Sequence, residues 1–337
     1  MMDRLKKLCT LFGTSGNEEA IREYILGEIS AYAECQVDAL GNIIAFKKGK
    51  NRSAARLMVD AHMDEVGIII TGITTDGFLK FATVGGIKEC ILLSRTVTIN
   101  GKIKGVIGCK PVHLSSADER KKAPKEDALY IDIGATSKTE AEEHISLGDY
   151  GIIDGDFELL SPDKIKAKSL DDRVGCLVLV DLLKQAADYD FYATFTVQEE
   201  IGTRGAKTAA YAVDPEYALV IEATTAADID GVADSDTVCR LGQGPAVSFM
   251  DRGTVYDRAL YNAALSSGIK CQPKAAVAGG NNSSAIHLSR AGVRTLAVSL
   301  PCRYIHSPSC VADIGDIDGM LTLTKYMINK ICSGELK

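Results

Sequence analysis

Tryptophan is absent from this 337-residue chain, and aromatic residues make up only 6% of it. A cleft that grips sugars on stacked rings is therefore poorly provided for. No apolar run approaches the roughly 20 residues that span a bilayer, and the opening Met1-Met2-Asp3-Arg4-Leu5-Lys6-Lys7 lacks the apolar core of a signal peptide. The expectation is a cytoplasmic protein with no membrane partner. No two of the ten cysteines form a Cys-x-x-Cys pair, so neither a zinc finger nor a disulfide framework is indicated. Also missing are a GxxxxGK phosphate loop, internal repeats, low-complexity linkers and a dense basic stripe. At a net charge of −7, affinity for nucleic acid is not expected.

What is present is an ordinary globular composition, 46% hydrophobic and 25% charged, on a chain long enough for one large domain or two. Several cysteines stand in apolar runs, as buried reduced thiols do. Cys302 and Cys310 flank His306 and are the candidates for redox sensitivity. Helices are expected over 2–12 and after Ser15-Gly16-Asn17-Glu18-Glu19, where a cap donor precedes acids in the first turn. A hairpin over 35–48 follows, then an apolar strand from Arg56 that ends in His62-Met63-Asp64. A strand apolar on both faces belongs in the middle of a parallel sheet, whose ligand crevice lies beyond the carboxyl ends of the strands.

From about Val66 to Pro162 short strand-like runs alternate with glycine and polar turns, as in a small barrel. A charged surface loop crosses it from His113 to Glu126, and His113 and His144 are read as structural. Alternating strands and helices resume at Lys168, with helices expected over 173–187 and 315–332 and strands over 191–197, 216–222 and 294–300. The expected fold is α/β: a mixed, mostly parallel sheet sandwiched by helices, with an inserted small β-barrel. Residues 1–66 and 163–337 would form the main domain, and 67–162 the β-rich insert.

The pattern is organised around Gln198-Glu199-Glu200-Ile201-Gly202, two adjacent carboxylates just past a strand. Alone, such a pair reads as solvated loop charge, and Asp171-Asp172 before a helix reads as capping. Together with His62, Asp64, Glu222 and His306 they suggest more. Two nitrogens and three carboxylates can hold two metal ions with Asp171 shared, while the other glutamate of the pair takes a proton from a water between them. Such ligands suit zinc, cobalt or manganese. His62 and Asp64 are two apart and face one side of an extended chain, so Asp64 can orient the imidazole.

The stretches Val59-Asp60-Ala61-His62-Met63-Asp64-Glu65-Val66-Gly67, Leu170-Asp171-Asp172-Arg173-Val174-Gly175, Val197-Gln198-Glu199-Glu200-Ile201-Gly202, Ile286-His287-Leu288-Ser289-Arg290-Ala291-Gly292 and Arg303-Tyr304-Ile305-His306-Ser307-Pro308 together resemble the glutamyl and deblocking (tetrahedral, TET-type) aminopeptidases. These form metallopeptidase family forty-two, some of whose members carry a cellulase or endoglucanase label. The resemblance implies that His62, Asp171, Glu200, Glu222 and His306 hold two divalent metals, zinc or cobalt first, with Asp171 bridging. It further implies Glu199 as general base and Asp64 as the residue orienting His62. It implies peptide substrates cut at the amino terminus, and an insert that builds dimers and then a dodecamer.

Two positions depart from the family pattern: Glu222 stands where aspartate is usual, and Gly279-Gly280-Asn281-Asn282 where Gly-Gly-Thr-Asp is usual. Arg252, Tyr256, Asn282 and Arg303 are candidate substrate contacts. A glycoside hydrolase of cellulase type is the rival enzyme, although adjacent glutamates do not flank a bond across a cleft and the histidines would have no task. A catalytically degenerate assembly or binding protein is the third reading, suggested by Glu222 and Asn282.

Overall fold

The computed structural model describes residues 1–336. Its central sheet runs in the order Glu34–Val37, Ile43–Lys47, Phe191–Thr196, Leu57–His62, Tyr217–Thr225, Arg294–Arg303, Cys310–Asp313, Lys164–Ala167, Glu158–Ser161. The four strands in the middle that begin at Phe191, Leu57, Tyr217 and Arg294 are parallel neighbours, whereas both flanks are antiparallel. Leu57–His62 is buried at every position, because its alternating side chains meet a different helix layer on each face. Val59 and Ala61 join the large core with helices Leu170–Lys184 and Ile314–Cys332. Met58 joins the smaller core made with helix Arg204–Val213 and the short turn of helix Ser283–Ile286.

Gly67–Ile73, Leu79–Val84, Tyr130–Asp132, Ile103–Gly108, Thr96–Ile99 and Tyr150–Ile153 close into a six-stranded antiparallel barrel around its own core of Ile68, Ile70, Leu79, Val97, Ile99, Ile107 and Ile131. The charged segment between the strands ending at Gly108 and starting at Tyr130 crosses the surface in short 3-10 turns. The hairpin Glu158–Ser161 with Lys164–Ala167 pairs with Cys310–Asp313. By hydrogen bonding the chain has therefore rejoined the main sheet a few residues before the 162/163 junction that texture suggested.

Three local expectations shift. The helix expected over 173–187 begins its regular turns at Arg173, because Asp171 and Asp172 within the span Leu170–Lys184 are non-helical, but it ends early, at Lys184. The helix Glu19–Ile29 has no side-chain cap; Ser15 Oγ donates instead to Asp64 Oδ2, 2.6 Å away. Glu222 does not end its strand, which continues to Thr225. Pairing between Leu57–His62 and Tyr217–Thr225 stops at Asp60 opposite Val220, so the two strands part just where His62 and Glu222 stand. That parting opens a crevice at the carboxyl edge of the sheet.

Candidate active site

The sheet brings the scattered acids and imidazoles to this crevice. His62 is the last residue of its strand and is 1% exposed. Its Nε2 lies 3.1 Å from Asp171 Oδ1 and 3.4 Å from Glu222 Oε1. His306 Nε2 lies 3.3 Å from Asp171 Oδ2 and 3.3 Å from Glu200 Oε2. Asp171 thus turns one carboxylate oxygen to each histidine. Donor atoms about 2.0–2.1 Å from a tetrahedral cation stand roughly 3.3 Å from one another. The four separations match that edge length, and all five side chains are of the nitrogen and oxygen types that zinc, cobalt or manganese accept.

Each imidazole is turned by its other nitrogen. His62 Nδ1 faces the carbonyl oxygen of Asp64 at 3.1 Å and its carboxylate at 3.3 Å. His306 Nδ1 faces the carbonyl of Gly86 at 2.8 Å. With Nδ1–H donating to these oxygens, Nε2 keeps its lone pair for a cation.

Asp64 has a second task. Its Oδ1 accepts from the Glu199 amide at 3.0 Å and its Oδ2 from the Glu200 amide at 3.1 Å. The same carboxylate therefore sets both His62 and the glutamate turn. Asp172, next to Asp171, lies within ligand range of His62 and Glu222. Both its oxygens are already taken by amides, those of Gly175 at 2.9 Å and His62 at 3.3 Å. It caps the helix, as its position in the sequence suggested.

Crowded acids in a buried site distort each other's ionisation. Burial pushes Glu199 up to about 8, helped by the charges of Glu222, Asp171 and Asp64 and opposed by His62. Glu222 rises to about 8 mainly by burial, and Glu200 rises well above the carboxylate range for the same reason, with Asp171 adding to it. Burial would also raise Asp171, but hydrogen bonds from His306 and His62 outweigh it and hold Asp171 far below. Burial lowers His306, yet Asp171 and Glu200 carry it to about 10. Protons shared among these groups thus supply positive charge that bound cations would replace.

The proposed substrate residues are not gathered in the same way. Arg303 is paired with Asp228 at 2.8 and 2.9 Å. Tyr256 is buried and donates to Asp251. Arg252 is exposed, and its amide donates to the Gly279 carbonyl. Asn282 is 1% exposed and donates to Asp60 and Thr196, each at 2.8 Å. It braces the glycine loop against the sheet beneath His62. Glu222 absorbs its extra methylene by folding back, so that Oε1 also accepts from the Ala223 amide at 3.0 Å. Cys302 and Cys310 are buried, and burial pushes the Cys310 thiol up to about 12 and raises the Cys302 thiol well above its ordinary value. They are protonated, unreactive core groups rather than redox sensors.

Sequence reasoning missed a buried ionic cluster beside the site. Glu65 accepts from Lys168 Nζ at 2.7 and 2.9 Å, from Arg173 Nη2 at 3.1 Å, and from Ser169 Oγ. This ties the strand carrying His62 to the turn carrying Asp171. Its only trace in the sequence is two cations, Lys168 and Arg173, bracketing Asp171-Asp172.

The M42 glutamyl aminopeptidase family model matches residues 41–323. A lysyl aminopeptidase of Pyrococcus furiosus is 32% identical, with 97% of this chain and 96% of that protein covered. An aminopeptidase of Desulfurococcus kamchatkensis superposes with a TM-score of 0.94 at 35% identity, covering 99% of this chain and 97% of that one. The TET1 peptidase of Pyrococcus horikoshii, described as assembling into a tetrahedron or a large octahedral shell, superposes with a TM-score of 0.85 at 35% identity over 97% and 98% of the two chains. With the family model spanning most of the chain, the protein belongs to the M42 glutamyl aminopeptidase family and is a hydrolase of its aminopeptidase class.

Proposed function

We propose that this chain is a dinuclear metal-dependent aminopeptidase that removes residues from the free amino terminus of peptides. The observation that carries the reading is Asp171, whose two carboxylate oxygens lie 3.1 and 3.3 Å from His62 and His306. His62, Glu222 and Asp171 would hold one divalent ion, zinc or cobalt before manganese; His306, Glu200 and Asp171 would hold the other. When bound, the ions supply Lewis acidity, making a water more acidic and the peptide carbonyl more electrophilic. Glu199 takes the proton of the attacking water and returns it to the leaving amine. A carboxyl raised to about 8 among acids falls once cations neutralise its neighbours, which brings it toward the range of a general base. Asp64 keeps both Glu199 and His62 in place. Arg252, Tyr256, Asn282 and Arg303 are the candidate substrate contacts of this reading.

The barrel is proposed as the assembly module, building dimers toward a dodecamer. Its surface exposes Val106, Val112, Leu114 and Leu147 at 47–71%, apolar area of the kind that subunit contacts cover. Ten free thiols suit a reducing cytoplasm, and no helix among the described residues is long and apolar enough to cross a membrane.

Metal analysis and a panel of aminoacyl chromogenic substrates test the function together. Two ions per chain, with activity lost to a chelator and restored by zinc or cobalt, are expected. Chelator-resistant cellulose cleavage would favour the glycosidase reading, and fewer than one ion per chain after reconstitution would favour a degenerate site.

A further inference from the structure

The amino-terminal segment supplies a buried acid that the chemistry above leaves unused. Glu18 is only 4% exposed. It stands at the start of helix Glu19–Ile29 without capping it. Its Oε1 accepts instead from the Gly16 amide at 2.8 Å and from the Gln198 amide, 180 residues away, at 3.1 Å. Gln198 precedes Glu199 and sits at φ 57, a left-handed conformation that residues with a Cβ seldom adopt unless held.

Three successive amides are therefore committed to two buried carboxylates: Gln198 to Glu18, and Glu199 and Glu200 to Asp64. Ser15 joins the donors, its hydroxyl donating to Asp64 at 2.6 Å. The segment itself is anchored to the strand that carries His62, since the Glu65 amide donates to Gly13 and the Ser15 amide to Glu65. Burying a carboxylate on backbone amides alone is costly, and nothing in the helix it precedes requires it.

We propose that Glu18 is a positioning residue for the Glu199-Glu200 turn, acting through the Gln198 amide. Gripped there, the turn sends Glu200 to within 3.3 Å of His306 and leaves Glu199 among Asp64, Asp171 and Glu222. Glu18 touches no substrate and no metal ligand side chain. The proposal rests on the reading of Glu199 as general base given above.

The test uses the full-length, metal-loaded protein and the aminoacyl p-nitroanilide that the parent cleaves best. Glu18→Met keeps the volume but cannot accept a hydrogen bond. It should lower kcat about 10- to 100-fold, the usual effect of a misplaced catalytic group. KM should stay within about twofold and metal content at the parental level, because binding is not what is lost. Glu18→Gln retains an acceptor oxygen and should hold kcat within about threefold of the parent. Gln198→Gly, added to Glu18→Met, should recover kcat at least about fivefold, since glycine occupies positive φ without a Cβ to strain.

Parental kcat in Glu18→Met, a loss that follows metal content, or no recovery with Gln198→Gly would each overturn the proposal. Should Glu18→Met not fold, Glu18→Ser, too short to reach Gln198 and open to water, carries the same expectations. Glu199→Gln separates the two claims: if it keeps parental kcat, the general-base reading fails. If it is inactive while Glu18→Met is parental, only the positioning claim fails.

Discussion

The two halves of the site use the same donor types but are supported in opposite ways. His62 closes a strand buried at every position, and its orienting oxygens belong to Asp64, two residues away. His306 lies beyond the end of its strand, in a turn where both Tyr304 and His306 have positive φ. Its side chain is 31% exposed, and its orienting oxygen comes from Gly86, which follows a barrel strand. One half is complete within the main domain. The other is finished by Gly86 beside the barrel, so the barrel shapes the site as well. A histidine fixed by strand packing loses little freedom on binding an ion, whereas one fixed by a loop carbonyl has more to lose.

Replacing Asp171 should erase the difference between the halves. Asp171→Ala removes the carboxylate common to both and should abolish ion binding at each, with kcat/KM falling on the order of 10³-fold or more. Metal analysis and steady-state kinetics check it, and retention of even one tightly held ion would show that the halves are independent. Glu199→Gln should leave both ions in place while cutting kcat about 10²- to 10⁴-fold, as expected for loss of a general base. Any matching loss of metal would instead make Glu199 a ligand.

The sharpest comparison sets His62→Ala against His306→Ala, with stability measured by urea unfolding of the metal-free proteins. His62→Ala empties a buried position ringed by acids and should cost about 2–4 kcal/mol. His306→Ala should cost less, about 1–2 kcal/mol, because its half-exposed side chain still pairs with Asp171 and Glu200. Each should lower metal content from two ions to one. Equal destabilisation would mean that the His306 turn is packed as firmly as the strand.

The smallest effect concerns pH and again the metal-free protein. Burial raises Glu18 from 4.5 to about 7, so the folded state holds its proton to higher pH than the unfolded chain does. The sign follows from linkage: stability from this group is fully present below pH 4.5 and is lost as pH rises to about 7, by up to roughly 3 kcal/mol. Glu18→Gln does not titrate, so its stability relative to the parent should grow between pH 5 and pH 8. A constant difference across that range would place the Glu18 pKa near its ordinary value.

Much of this was legible in the chain. The buried strand at 57–62 announced itself by apolarity on both faces, and the barrel by short runs broken by glycine. The acids and imidazoles of the site were marked by falling just past such strands. What could not be read were contacts made across long separations. Ser15 looked like a helix cap because Ser followed by acids usually is one; its partner is Asp64, 49 residues away. Arg303 and Asn282 looked available to a substrate because sequence does not show that Asp228 and Asp60 engage them. Glu222 seemed to end its strand because local pattern gives no sign that the neighbouring strand stops pairing at Asp60.

Residue types and their periodicity determined the layers, the barrel and which acids and imidazoles meet at the crevice, because burial and backbone repeat are local properties written into every few residues. Register and chain crossing decided the rest. They made Asp171 face two histidines at once, placed Gly86 of the barrel behind one of them, and set a buried glutamate from the start of the second helix under the Glu199-Glu200 turn. Such pairings depend on which strands part and where, and that is a balance struck by the whole packed sheet.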